Sequence, residues 1–124
     1  MHFVFGGAYN GKTAYAKQLE PFAKLHTAHI PKIAHTPLII RHIEQCITIG
    51  DDEIAEAQRI FDALQQLAAT QRLIVIGNDI SRGVVPLEKE ARFQRDCAGR
   101  LYQLLTAEAT RVTQIWYGIA QHIK

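Results

Sequence analysis

Gly6-Gly7-Ala8-Tyr9-Asn10-Gly11-Lys12-Thr13 gathers three glycines, an ammonium and a hydroxyl into eight consecutive positions. The spacing fits G-x-x-x-x-G-K-[ST], in which each position has a physical task. Glycines let the backbone curl so that successive N–H groups converge on one anion. Lys12 then brings a mobile positive charge to the β- and γ-phosphates of a nucleotide, and Thr13 a hydroxyl to Mg2+. A helix starting there aims its positive end at the same point. The competing reading is a chance glycine turn, which composition alone produces on the order of once in a few hundred chains of this size. The motif's place, after the apolar run Phe3-Val4-Phe5 and before a helical stretch, favours a cradle for a nucleoside triphosphate.

Phosphoryl transfer needs more than a cradle: the attacking oxygen must be aligned and the charge of the transferred group neutralised. An acid at the end of a strand is the usual magnesium partner, and Asp79 stands just beyond Leu73-Ile74-Val75-Ile76. The plainer account is that Asn78-Asp79 only shapes a turn. Arg92, Arg95 and Arg100 either clamp phosphate or close a ladder with Glu88 and Asp96. The ladder suits Arg92, which has an acid four residues away on each side, and leaves Arg95 and Arg100, with Asn78, as candidates for holding substrate or phosphate. His26, His29 and His35 lie close in sequence but without the tight ligand pairs that zinc favours, so a metal role is the weaker reading.

The elements that must position these groups follow from periodicity. Residues 2–6 read as a buried strand, Lys12 to about Phe22 as a helix ending near Pro21, and Leu25-Thr27-His29 as an edge strand. Leu38-Ile39-Ile40 fits a short interior strand or the first turn of a helix starting at Thr36-Pro37, and the strand is the favoured reading. Asp51 and Asp52 open an amphipathic helix to about Thr70, with Ile54, Ala57, Phe61, Leu64 and Leu67 along one face. Leu73–Ile76 has the composition of a central parallel strand. Pro86 opens a long helix with Phe93, Cys97, Leu101, Leu104 and Leu105 in one stripe, and Val112–Tyr117 is the last strand. Strands alternating with helices imply right-handed crossovers, so the expected fold is a single α/β domain over residues 1–124, a three-layer sandwich around a mostly parallel sheet.

Composition narrows the partners. A net charge of +2 over 124 residues is too small to mark a nucleic-acid or membrane-surface binder, so no nucleic acid is expected as a partner. No stretch is long enough to span a bilayer and no leader is recognisable, which makes a cytoplasmic protein the expectation. Cys46 and Cys97 lie outside any C-x-x-C pair and read as reduced, buried thiols.

Two further stretches carry a family likeness. Gly77-Asn78-Asp79-Ile80-Ser81-Arg82-Gly83-Val84-Val85-Pro86 and Arg95-Asp96-Cys97-Ala98-Gly99-Arg100-Leu101-Tyr102-Gln103 resemble the N-E-x-G-x-G-[IV]-V-P and R-D-x-A-G-R-x-x-Q signatures of the adenosylcobinamide kinase / adenosylcobinamide-phosphate guanylyltransferase family. The likeness covers residues 2–20 and about 72–124. It implies a RecA-like P-loop sheet, a homo-oligomer, and a kinase that uses ATP or GTP with Mg2+ to phosphorylate the aminopropanol hydroxyl of adenosylcobinamide. It also implies a second step, GMP transfer from GTP through a guanylylated histidine. Between residues 20 and 50 the chain is shorter than the family pattern and has no counterpart of its basic R-I-x-x-H-x-x-x-R segment, so the guanylyl half lacks its acceptor. If Leu38-Ile39-Ile40 matches the family's acid-bearing strand, Arg41 takes the acid's place, and a guanidinium cannot hold Mg2+. Asp79 stands where the family has Glu, and Ser81 where it has glycine. These departures motivate an alternative: a nucleotide-binding regulatory or scaffold protein that keeps the cradle without the chemistry.

Overall fold

An apolar run at the start of the first strand has to be covered on both faces, and Phe3 and Val4 are buried on opposite sides of β1 (His2–Gly6). A computed structural model describes the chain over residues 1–7, 11–79 and 88–124. After β1 come α1 (Lys12–Leu19), β2 (Lys24–Thr27), β3 (Leu38–Arg41), a 3-10 turn (Ile43–Cys46) and α2 (Glu53–Ala68). Then follow β4 (Leu73–Asn78), α3 (Lys89–Glu108), β5 (Arg111–Trp116) and β6 (Ile119–His122). Among the described residues the strands form one sheet in the order β2-β3-β4-β1-β5-β6, parallel except for β6.

Two layers of helix cover this sheet. On one face Ile60, Phe61, Leu64 and Leu67 of α2 and Cys97, Leu101 and Leu105 of α3 pack with Phe3, Leu38, Ile40, Val75 and Val112. On the other, Ala16 of α1 lies with Val4, Ile39, Ile74, Ile76 and Ile115. This is the expected three-layer, mostly parallel α/β sandwich. Parallel strands buried on both faces explain why β3 and β4 read as unbroken apolar runs.

Several local expectations are corrected. Helix α1 stops at Leu19, three residues before Phe22, because Glu20 precedes Pro21 and has left helical dihedrals (φ −132°, ψ 76°). In α2 the Asp52 carboxylate caps the helix, accepting from the Ala55 N–H at 3.0 Å, but Ile54 in the first turn stays 60% exposed while Ile60 is fully buried. The last strand does not end the sheet: Tyr117 and Gly118 take positive φ (50° and 75°) and turn the chain back into β6. Pro86 lies outside the described residues. In α3 the described ion pairs join Arg95 to Asp96 and Arg100 to Glu53 of α2, so Arg100 braces two helices instead of extending a ladder along one. Both cysteines are free, Cys97 buried and Cys46 half-buried, and burial pushes each thiol up to about 11. No helix among the described residues is long and apolar enough to cross a membrane.

At the base of the sheet a buried hydroxyl joins two imidazoles: Thr113 Oγ1 lies 2.8 Å from His2 Nε2 and 3.1 Å from His122 Nδ1. Burial, with the charges of Arg111, His122 and the N-terminus, lowers His2 from 6.5 to about 4. The folded state therefore holds this ring neutral while the unfolded chain takes up a proton. The resulting stability is complete above pH 6.5 and is lost as pH falls toward 4. After allowance for its half exposure, about 1–2 kcal/mol is at stake. Urea unfolding midpoints measured across this range should fall in the wild type and flatten in His2→Gln.

Candidate active site

The polar ends of β3, β4 and β1 converge, and the candidate residues gather there. Gly6 ends β1, and its carbonyl accepts from the Asp79 N–H at 2.8 Å, which ties the end of β4 to the start of the glycine loop. Gly11 is the residue before α1 and has φ 80°, a conformation L side chains rarely adopt. Among the described residues no side chain caps α1, and its first turn holds no acid. Ala8, Tyr9 and Asn10, the middle of the candidate loop, lie outside the described residues, as do Ile80–Leu87.

Lys12 is the first residue of α1 and is only 6% exposed. Its Nζ donates to the Gly7 carbonyl. Burial lowers its pKa, and the nearby charge of Glu44 opposes that shift. A desolvated ammonium held among backbone dipoles is available to an anion at little further cost in desolvation. Thr13 follows it, half-buried.

Glu44, His42 and Tyr102 were not among the residues singled out by sequence, yet they form the second half of the site. His42 takes a left-handed conformation (φ 57°), which ends β3 and turns the chain into the 3-10 turn that carries Glu44 inward. The Glu44 carboxylate, 3% exposed as a residue, accepts from the Asn78 N–H at 3.0 Å and from Asn78 Nδ2 at 3.3 Å. Asn78 Nδ2 also lies 3.2 Å from His42 Nδ1. The Tyr102 hydroxyl donates to the Asn78 carbonyl at 2.6 Å and sits 3.5 Å from Glu44 Oε1. Burial, with the Glu44 charge behind it, pushes the Tyr102 phenol above its ordinary range and keeps it a donor. Gly77 makes room for this ring, since a Cβ there would meet Tyr102 Oη at 2.7 Å. The one signal that pointed to Glu44 is an acid within a few residues of a buried strand's polar end.

The other sequence candidates fall elsewhere. The Asn78 side chain is engaged by Glu44 and His42. Arg95 donates to Asp96 of its own helix at 2.9 Å, and Arg100 to Glu53 of α2 at 3.1 Å. Arg41, at the end of β3, donates from Nε to Thr27 Oγ1 at 2.8 Å, toward the β2 edge. His26 and His29 have ring centroids 5.7 Å apart at that same edge, three strands from β1 and so about 14 Å away across the sheet.

A parallel sheet whose central strand runs through a glycine loop into a helix opened by a buried lysine defines an α/β protein of the P-loop type. The family model for cobinamide kinase / cobinamide phosphate guanyltransferase matches residues 33–123, and the chain belongs to that family. It is 37% identical over 70 residues to the "Bifunctional adenosylcobalamin biosynthesis protein CobU" of Escherichia coli (strain K12), covering 56% of this chain and 38% of that protein. To the protein of the same name from Salmonella typhimurium (strain LT2) it is 38% identical over 74 residues, covering 60% of this chain. The matched stretch thus spans 38% of the length of each relative.

Proposed function

We propose that the chain is a P-loop kinase of the cobinamide type, which transfers the γ-phosphoryl group of ATP or GTP to the aminopropanol hydroxyl of adenosylcobinamide. The observation that carries this reading is Lys12: an ammonium buried at the first position of α1, beside the Gly7 carbonyl and in the field of Glu44. In this role Gly6 to Thr13 hold the triphosphate and Lys12 stabilises charge on the transferred group. Asp79, tied to Gly6, lies on the acceptor side. The Thr13 hydroxyl and the Asp79 carboxylate are hard oxygen donors of the kind Mg2+ takes. Among the described residues no cluster of three or more His, Cys, Asp or Glu gathers to hold a metal alone, so the ion would lean on the nucleotide's own oxygens. Bound there, it supplies positive charge to the β- and γ-phosphates. A homo-oligomer belongs to the same proposal.

The test is ATP- and GTP-dependent phosphorylation of cobinamide by pure protein; an absence of product with every cobinamide tried removes the kinase reading. Lys12→Ala should lose charge-assisted contacts worth about 1.5–3 kcal/mol, a roughly tenfold to hundredfold drop in nucleotide affinity by calorimetry.

Arg41 favours a second reading, since it occupies the end of β3 and points toward Thr27. On that reading the chain binds nucleotide without turning it over, as a regulatory or scaffold protein. Heat on addition of ATP with no phosphorylated product distinguishes it from the kinase.

A further inference from the structure

The two-residue turn between β5 and β6 is built from the wrong residue for its shape. Trp116 pairs with Ile119, and both intervening residues have positive φ, 50° at Tyr117 and 75° at Gly118. That is the geometry of a type I′ hairpin, whose first central position favours Asn, Asp or Gly. Tyr117 instead carries a β-carbon and a ring into the left-handed region, and the ring gains nothing from burial because the residue is 88% exposed. Strain held without a packing return points to a ligand.

The turn's position says which ligand. A Cβ built on Gly11 would lie 3.9 Å from the Gly118 Cα, so the turn abuts the residue that opens α1. On the opposite side of β1 stand Asp79 and Glu44, at the ends of β4 and β3. The reacting end of a triphosphate belongs on that acidic, proton-accepting side, which leaves the nucleoside end to β5 and β6. At the turn that joins them the surface offers Tyr117 and Ile119, the latter 71% exposed. We propose that the Tyr117 ring is the platform on which the base of the bound nucleotide stacks. The inference rests on the phosphate reading of Gly6 to Thr13.

Base-on-aromatic stacking tolerates any base, so the platform should serve adenine and guanine alike. The test uses Tyr117→Asn, which places the favoured residue in the turn and so keeps the fold, and Tyr117→Phe, which keeps the ring. Trp116, the chain's single tryptophan, reports binding by fluorescence next to the turn, with calorimetry as the independent measure. ATP, GTP and inorganic tripolyphosphate are titrated into each protein. The expected result is a tenfold to hundredfold loss of affinity for both nucleotides in Tyr117→Asn, unchanged tripolyphosphate binding, near-normal binding in Tyr117→Phe, and a melting temperature raised by roughly 2–5 °C. Full nucleotide affinity in Tyr117→Asn overturns the platform while leaving the phosphate reading in place. An equal loss for tripolyphosphate also overturns it, because the effect then comes through the loop. If the wild type binds neither nucleotides nor tripolyphosphate, the phosphate reading fails and the platform with it.

Discussion

Replacing Glu44 by alanine is expected to cost about 3 kcal/mol of folding stability, several times the effect of an ordinary surface substitution. The carboxylate is buried and serves two donors at once, the Asn78 backbone N–H and the Asn78 side-chain amide, with the Tyr102 hydroxyl 3.5 Å away. Tyr102 keeps its bond to the Asn78 carbonyl, so it loses less. The Asn78 N–H would be left in a cavity without an acceptor, and unsatisfied buried donors cost about 1–3 kcal/mol each. Lys12 would also lose the charge that opposes its desolvation. Glu44→Gln separates these contributions, since an amide oxygen still accepts from the Asn78 N–H while the charge is gone. Urea unfolding should place Glu44→Gln between the wild type and Glu44→Ala. Identical midpoints for Glu44→Ala and wild type would show that the carboxylate is not the keystone of this corner.

The same residue shows where a linear reading loses information. β1, β4 and the apolar faces of α2 and α3 were legible because each rests on local chemistry: a period set by the element's own geometry. Glu44 has no such period, only its nearness to the end of an apolar strand. It reaches the site because His42 adopts φ 57°, a conformation uncommon enough outside glycine that a linear reading does not expect it. Arg41, which takes the acid's place if Leu38-Ile39-Ile40 matches the family's acid-bearing strand, donates to Thr27, and the structure buries a carboxylate three positions later, at Glu44. Asn78, a candidate for holding substrate or phosphate, has its amide between Glu44 and His42, contacts separated by 34 and 36 positions in the chain. The β5–β6 hairpin escaped for the opposite reason: its turn residue is one that hairpins avoid, so the usual Asn-Gly signal was absent. Sequence reasoning failed where strain or long-range contact decides, which is also where the site is built.

Gly6→Ala is expected to be as damaging, and for a reason unconnected with phosphate. A Cβ at position 6 would stand 2.4 Å from the Ile115 carbonyl oxygen, a backbone atom of β5 that no rotamer change can move aside. Gly6 lies opposite Ile115 in the parallel register with β5 and opposite Asn78 in that with β4. Its own carbonyl is held by the Asp79 N–H at 2.8 Å, so relieving the clash means prising β1 from β5 and driving it into β4, which is already paired on its other side. Overpacking of side chains costs about 1–3 kcal/mol, and a clash against fixed backbone belongs at or beyond the upper end. Gly50→Ala is the control, with no atom within 4 Å of the added carbon. Denaturant unfolding should leave Gly50→Ala near the wild type and lower Gly6→Ala by about 3 kcal/mol or more. Nucleotide affinity should fall in Gly6→Ala as well, because the residue that opens the loop moves with its strand. Lys12→Ala differs in kind, losing affinity through charge while the sheet stays paired. If Gly6→Ala unfolds with the wild type, β1 and β5 are not as close as the structure places them, and the seat assigned to the triphosphate would have to be redrawn from that strand pair outward.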